Sequence, residues 1–587
     1  MEKAMKKEGS QPIYKVEFDG EVMVPMRDGV RLAADVYRPD AEGKFPALLA
    51  FGPWSKELSS DLQWTFPPQV ETSTRWDGTM EAGSSQYLVS RGYAHIIAQQ
   101  RGIGHSEGVM DKDCEMDGYD LVEWIAQQPW CDGNVGMVGI SGLAMAQLAT
   151  AITQPPHLKA IFPYDTPGDM YRDALYPGGI LDTFLFGVSS RRLAVHTVDP
   201  ARMAERQRLA REVKNNPDNA DIYPVRDILM YSLIYNILCH PQVSSGSWGL
   251  FDYIMHPYDG PFYQAISFSS RYDDIKVPAY VGSGWYAYTY MHLPGAFRNY
   301  AGLNVPKKLM IGPGATIEKP LMMSADPSRN RPFAGYADEV VRWYDYWLKG
   351  IDTGIMDEPP IKIFTMENCD PVCGTWRFEN EWPLARTKWT KFYLRTFERL
   401  STEPPAFTDA TPDSFVQQPL TISNKIGSCK YQTSSLREDL MITGPIALKL
   451  YAAIDTDDDN WIVALRDVAP DGKRFELTRG WLKCSHRALD QSKSKPWQPC
   501  HWHTKEAVEK IQPGKIYDYD IEIRPTSNKF KAGHRIELEI MSVDSPPPGA
   551  VEHLSSYHIC SNHTCYHKIY RDPEYPSHLL LPVIAQE

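Results

Sequence analysis

Between Asn134 and Thr153 the chain passes from a short apolar run, Asn134-Val-Gly-Met-Val-Gly139, through a small-residue turn at Gly139-Ile140-Ser141-Gly142, into a stretch rich in Ala, Leu, Met and Gln. The run is strand-like, the stretch is a good helix former, and the glycines between them permit a tight bend. A strand that turns directly into a helix is the building unit of an α/β sheet, because the returning helix covers one face of that sheet. The same alternation extends in both directions. Apolar runs at Arg31–Tyr37, Phe45–Phe51, Tyr93–Ala98, Ala160–Tyr164, Val277–Gly282 and Lys307–Gly312 alternate with helix-like segments such as Glu115–Gln128 and Ala337–Leu348. This pattern predicts a mostly parallel sheet with helices on its faces.

Two regions depart from it. Between about Val188 and Ser269 the texture is Arg, Glu, Ala, Met and Leu at helical spacing, as in Ala201–Lys214, which predicts a helical insertion. After about Thr387 short strands such as Ile446–Ala453 and Ile516–Ile523 are separated by Gly, Pro and Asp turns, the pattern of a β-sandwich or jelly roll. The expected division is a core formed by residues 15–160 and 270–365, a helical part at 161–269, and a β-rich part at 385–587. A chain of 587 residues suits several such units.

Composition removes several function classes. A formal net charge of −13, with no run of consecutive Lys or Arg longer than two residues, such as Lys6-Lys7 and Arg191-Arg192, argues against nucleic-acid binding. The first residues show no apolar leader and no stretch reaches the length of a bilayer span, so the expectation is no membrane association and a cytoplasmic location. The ten cysteines are mostly scattered, as free thiols are. Cys500-His501-Trp502-His503 and the group His558, Cys560, His563, Cys565 and His567 have metal-ligand residue types but no paired Cys-x2-Cys spacing, and they read as structural β residues. The acidic run Asp455-Thr-Asp-Asp-Asp459 reads as a solvated turn, since it lacks the features of a calcium loop. No metal and no cofactor is expected.

Ser141 in its turn has the layout of a nucleophile elbow, in which small neighbours let the serine stand clear of the sheet in front of a helix N-terminus. Around it stand Met26-Arg27-Asp28-Gly29-Val30, Arg101-Gly-Ile-Gly-His-Ser-Glu-Gly108, Gln128-Pro129-Trp130, Tyr171-Arg172-Asp173, Tyr176-Pro177-Gly178-Gly179 and Trp347-Leu-Lys-Gly-Ile-Asp-Thr-Gly354. Further on come Asp467-Val-Ala-Pro-Asp-Gly472 and Phe530-Lys-Ala-Gly-His-Arg535. Along nearly its whole length the chain resembles the cocaine-esterase and X-Pro dipeptidyl-peptidase family. That resemblance implies an α/β-hydrolase core with a helical cap insertion and a C-terminal β jelly roll, and an ancestral activity on esters, amides or acyl-dipeptides.

The resemblance also implies an acid, a base and an oxyanion tyrosine at places that read differently here. The acid position of a Gly-Trp-Tyr-Asp motif is Gly284-Trp285-Tyr286-Ala287. The histidine of a Gly-Pro-Trp-Ser-His motif falls at Gly312-Pro-Gly-Ala-Thr316, and the tyrosine of a Pro-Tyr-x-Lys motif falls at Pro53-Trp54-Ser55-Lys56. Gln99 replaces a frequent acid, and the backbone N–H of Gly142 is the remaining oxyanion donor. Asp165, Glu318, His292 and His105 are the candidates for a relocated acid or base, each with an ordinary packing or surface role as its alternative.

A depleted triad leads to the expectation of non-hydrolytic chemistry on an apolar, oxygenated small metabolite: isomerisation, cyclisation, elimination or acyl shift. Ser141, Tyr286 and Trp54 would act as hydrogen-bonding groups, with Gly142, Trp285, Tyr288, Phe184 and Thr316 lining the substrate site. Phe186 and Tyr290 would extend the aromatic wall. Two other readings stand beside it, a serine esterase, peptidase or acyltransferase using Ser141 with a relocated base, and a non-catalytic binding protein. The expected partner is a small molecule, and a homodimer is allowed.

Overall fold

A computed structural model describes residues 8–54, 56, 82–109, 115–182, 200–215, 250–286, 292–313, 334–420, 422–423, 425–544, 561 and 563–585. These fall into two compact units. The first comprises residues 1–168, 193–205 and 267–362, the second 169–192, 206–266 and 363–587.

Among the described residues the first unit has eight strands: β1 (Val16–Pro25), β2 (Arg31–Pro39), β3 (Phe45–Gly52), β4 (Ala94–Gln99), β5 (Cys131–Met137), β6 (Leu158–Ile161), β7 (Ala279–Gly284) and β8 (Lys307–Gly312). Pairing gives the spatial order β1-β2-β4-β3-β5-β6-β7-β8, with β1 and β2 antiparallel and every pair from β4 to β8 parallel. The parallel strands are covered on both faces, so β4 and β7 are buried at every position.

Among the described residues that cover includes α1 (Ser85–Val89), α2 (Asp117–Ala126), α3 (Gly142–Ile152), and later in the chain α7 (Leu293–Gly302) and α8 (Ala334–Lys349). Ser84 caps α1 by accepting the Tyr87 N–H at 3.1 Å. α8 is locked to the sheet where Trp343 Nε1–H donates to the Ile161 carbonyl at 3.1 Å and the Tyr344 hydroxyl donates to the Met137 carbonyl. Both contacts satisfy carbonyls at the ends of β5 and β6, the strands that carry the candidate site.

The second unit holds helical pieces and an all-β part. Between α3 and α7 lie α4 (Pro200–Asn215), α5 (Leu250–Met255) and α6 (Pro261–Ile266), with α4 crossing from the first unit into the second. Tyr171 stacks on Tyr176 at 5.1 Å and meets Tyr263 edge-on at 5.0 Å, while Arg172 bonds Asp169, Asp259 and the His501 carbonyl. Thus the Tyr171-Arg172-Asp173 motif ties the helical segments to the late strands of its own unit.

Thirteen strands run from β9 (Ile361–Glu367) to β21 (His578–Ile584) among the described residues. The longest, β15 (Leu440–Ile454), pairs antiparallel with β18 (Tyr517–Phe530), β20 (Cys565–Tyr570) and β21. β16 (Asn460–Val468) and β17 (Arg474–Lys483) form a hairpin, and β16 also pairs with β19 (Arg535–Met541). One expectation needs correction here. The run Asp455–Asp459 is not a uniformly solvated turn, because Asp459 is 1 % exposed and sits against β20.

Candidate active site

The bend after β5 places Ser141 at φ 54°, ψ −116°, immediately before α3. A non-glycine residue held there stores strain of roughly 1–3 kcal/mol, which persists only where the surroundings enforce it. They do so through two bonds. The Ser141 N–H donates to the Tyr164 carbonyl at 3.0 Å, and the Ser141 carbonyl accepts the Met145 N–H at 2.9 Å. Ser141 remains partly exposed while Ile140 and Gly142–Ala144 are buried, so its hydroxyl stands clear of the core. Gly142 opens α3, where N–H groups have no intrahelical acceptor and can meet an anionic oxygen.

The neighbouring strand end is set by glycine. A Cβ on Gly52 would lie 2.6 Å from Leu143 Cδ1, so only glycine lets the end of β3 approach the start of α3. That brings the Pro53-Trp54 segment to the same edge of the sheet as Ser141, with Trp54 half-buried. The adjoining loop is held by Arg101, which bonds Asp117 at 2.7 Å and Asp28 at 2.8 Å and so joins two of the motifs behind the family resemblance. Within it Gln99 is fully buried and accepts the His105 N–H at 3.1 Å.

Asp165 is the residue of interest. Ile140 and Tyr164 form a parallel bridge and Tyr164 bridges in turn to Gly282, so Ser141 and Asp165 follow paired positions on adjacent strands, roughly 5 Å apart in backbone spacing. Asp165 also has positive φ, at 56°. Its Oδ1 accepts the Ser283 hydroxyl at 2.7 Å and the Gly284 N–H at 3.2 Å, whereas Oδ2 has no hydrogen bond among the described residues. Burial pushes its pKa up to about 7 against the lowering effect of those two donors. Asp165 is therefore bonded to the strand end that leads into Gly284-Trp285-Tyr286-Ala287, where the resemblance looks for the acid.

The other expected residues are placed as follows. Trp285 is 1 % exposed, donates its backbone N–H to the Gly312 carbonyl at 3.2 Å and packs 6.3 Å from Phe297 of α7; Tyr286 is also buried. His105 is exposed and turned to Glu21 at 2.8 Å. His292 is buried at the start of α7, and burial lowers its pKa to about 3, leaving a weak base. Tyr288, Tyr290, Phe184, Phe186, Thr316, Glu318 and Ala287 lie outside the described residues. Sequence reasoning missed Ser283 as a partner of Asp165. Its only signal was a polar residue inside Gly282-Ser283-Gly284 at the end of an apolar strand.

Two family models match the chain: X-Pro dipeptidyl-peptidase (S15 family) over residues 28–316, and the X-Pro dipeptidyl-peptidase C-terminal non-catalytic domain over residues 353–580. The chain belongs to the X-Pro dipeptidyl-peptidase and cocaine-esterase family of α/β-hydrolases, with a C-terminal domain after the core. It is similar to the cocaine esterase of Rhodococcus sp. (strain MB1 Bresler), 28 % identical with 96 % of this chain and 98 % of that one covered. It is also similar to a putative Xaa-Pro dipeptidyl-peptidase of Bacillus anthracis, 23 % identical over 88 % of this chain and 81 % of that one. A CocE/NonD family hydrolase structure from Staphylococcus aureus shares the fold at a TM-score of 0.74, with 22 % identity and coverage of 97 % of this chain and 94 % of that one.

These findings overturn the expectation of non-hydrolytic chemistry. Isomerisation, cyclisation, elimination and acyl shift have no support, whereas the family is enzymatic and its members carry esterase and peptidase names. A depleted triad is likewise not shown. Ala287 and Thr316, two of the positions on which that reading rested, lie outside the described residues. Ser141 keeps a strained conformation, and an ionisable group of near-neutral pKa stands on the next strand. Among the described residues no helix is long and apolar enough to cross a membrane.

Proposed function

We propose that this protein is a serine acyl hydrolase that cleaves esters or amides of small molecules through Ser141. The observation that carries the reading is the strained backbone of Ser141 at the strand-to-helix bend, a conformation that a serine kept only for packing has no need to hold. Ser141 Oγ attacks the acyl carbonyl while its proton passes to Asp165 Oδ2. The oxyanion takes the Gly142 N–H and a donor from the Trp54 segment, and the protonated carboxyl then gives its proton to the leaving alcohol or amine. Water repeats the sequence to release the acid. A carboxyl with a pKa of about 7 is matched to both halves of that cycle at neutral pH.

In this reading Tyr286, Trp285, Tyr288, Phe184 and Thr316 contribute to substrate binding, residues 161–269 are the family's helical cap insertion, and residues 385–587 form a jelly roll. The test is turnover of p-nitrophenyl acyl esters of graded chain length. Hydrolysis with an initial burst that disappears in Ser141→Ala supports the proposal, and equal rates for the two proteins overturn it.

A further inference from the structure

Among the described residues, two buried clusters in the second unit bring Cys, Asp and His side chains together: Cys369, Asp467 and His534, and Asp459, Cys565 and His567. They share a composition but differ in how their polar atoms are used. In the first, His534 Nδ1 bonds Asp467 Oδ1 at 2.7 Å, Asn528 donates to Asp467 Oδ2 at 3.3 Å, and the Cys369 thiol donates to the Asp467 carbonyl at 3.5 Å. The carboxylate is fully engaged, and the cluster reads as a tie between the two late sequence motifs.

The second cluster is arranged otherwise. Asp459 precedes β16, and its Oδ1 accepts the Asn460 N–H at 2.8 Å and the Ser561 hydroxyl at 2.7 Å. Among the described residues its Oδ2 has no aligned hydrogen bond, and neither does either ring nitrogen of His567. Those two groups nevertheless face each other, with His567 Nε2 3.1 Å from Asp459 Oδ2 but without the alignment of a hydrogen bond. Both residues are at most 1 % exposed. The imidazole cannot turn away, since it stacks on Phe415 at 4.4 Å and meets Trp461 edge-on at 5.1 Å. Cys565 lies two residues before His567 on β20 and points to the same side, so that Sγ, the imidazole nitrogen and the carboxylate oxygen all lie within 4.8 Å of one another.

Buried polar atoms are almost always paired; here Asp459 Oδ2 and His567 Nε2 stand at ion-pair distance, 3.1 Å, without an aligned hydrogen bond, beside a thiol 3.3 Å from Thr456 Oγ1, and one cation would engage all three groups. We propose that Asp459, Cys565 and His567 bind a divalent transition-metal ion, zinc by preference, which clips β20 to the start of β16. The ligand set of one S, one N and one O suits zinc, whose bonds of about 2.0–2.3 Å separate neighbouring ligand atoms by roughly 3.3–3.7 Å. The charges also balance. One carboxylate and one thiolate, the latter formed by loss of the thiol proton on binding, cancel a double positive charge. The sequence pattern Cys565-x-His567 read as structural because its third ligand comes from a strand start more than a hundred residues earlier.

The test is metal content of the full chain, purified without a polyhistidine tag, incubated with zinc and dialysed against metal-free buffer. The expected result is about one zinc per chain, reduced about tenfold or more in Cys565→Ser and His567→Gln and unchanged in Cys369→Ser. If the first two variants fail to fold, cobalt(II) loaded into the unaltered chain gives the answer through a thiolate-to-cobalt absorption band. A chain that retains no zinc, variants that retain it fully, or a cobalt complex without that band overturns the proposal.

Discussion

Acidification tests the second unit through three histidines buried together there. His486 Nδ1 lies 3.1 Å from His503 Nδ1, a contact that requires one nitrogen to donate and the other to accept. A second proton would set N–H against N–H. The His501 ring lies 5.5 Å from that of His503. Burial, reinforced by neighbouring cations, lowers His486 and His501 from 6.5 to about 3, and His503 further below its ordinary value. The folded unit therefore binds fewer protons than the unfolded chain below about pH 6.5. Stability is flat above that pH, falls as pH drops through it, and levels off only below the folded values near 3.

At about pH 5 each unfolded histidine gains about 2 kcal/mol from protonation that its folded counterpart does not, so three give about 6 kcal/mol. That is comparable with the whole stability of a typical domain. Urea unfolding followed by tryptophan fluorescence from pH 7.5 to 4.5 should show the midpoint falling steeply below pH 6.5. His501→Gln should remove about a third of that pH dependence. A midpoint independent of pH across this range, or an unchanged slope in the variant, would refute the reasoning.

Two further outcomes follow from particular contacts. A Cβ on Gly178 would lie 2.0 Å from the Trp481 carbonyl oxygen, and this glycine has φ 60°, so Gly178→Ala should lower stability by about 3 kcal/mol or more, read as a fall in melting temperature. The rate of ester hydrolysis should rise with pH through a midpoint near 7 as Asp165 ionises, and Asp165→Asn should abolish that limb and slow turnover at least about a hundredfold, checked by a kcat/KM profile.

Much of the core was legible because its signals are local. The apolar run, small-residue bend and helix former at Asn134–Thr153 became β5, which starts three residues earlier at Cys131, the Ser141 bend and α3, and the run Lys307–Gly312 became β8. What could not be read depends on strands distant in sequence. Asp165 matters because Ser283, 118 residues later, donates to it from the next strand. Asp459 looked like part of a solvated acidic turn, yet pairing of Ile454 with His567 folds β20 over it. The chemistry was misjudged because residue types absent at Ala287 and Thr316 were weighed above the resemblance that runs along nearly the whole chain.

The central claim, that Ser141 is an acyl nucleophile, is tested most directly by treating the native chain with an alkyl fluorophosphonate and locating the adduct by peptide mass spectrometry. The account predicts a single adduct on the peptide containing Ser141, absent from Ser141→Ala and formed much more slowly in Asp165→Asn. An unlabelled Ser141 in folded protein, or labelling that Asp165→Asn leaves unchanged, would contradict it.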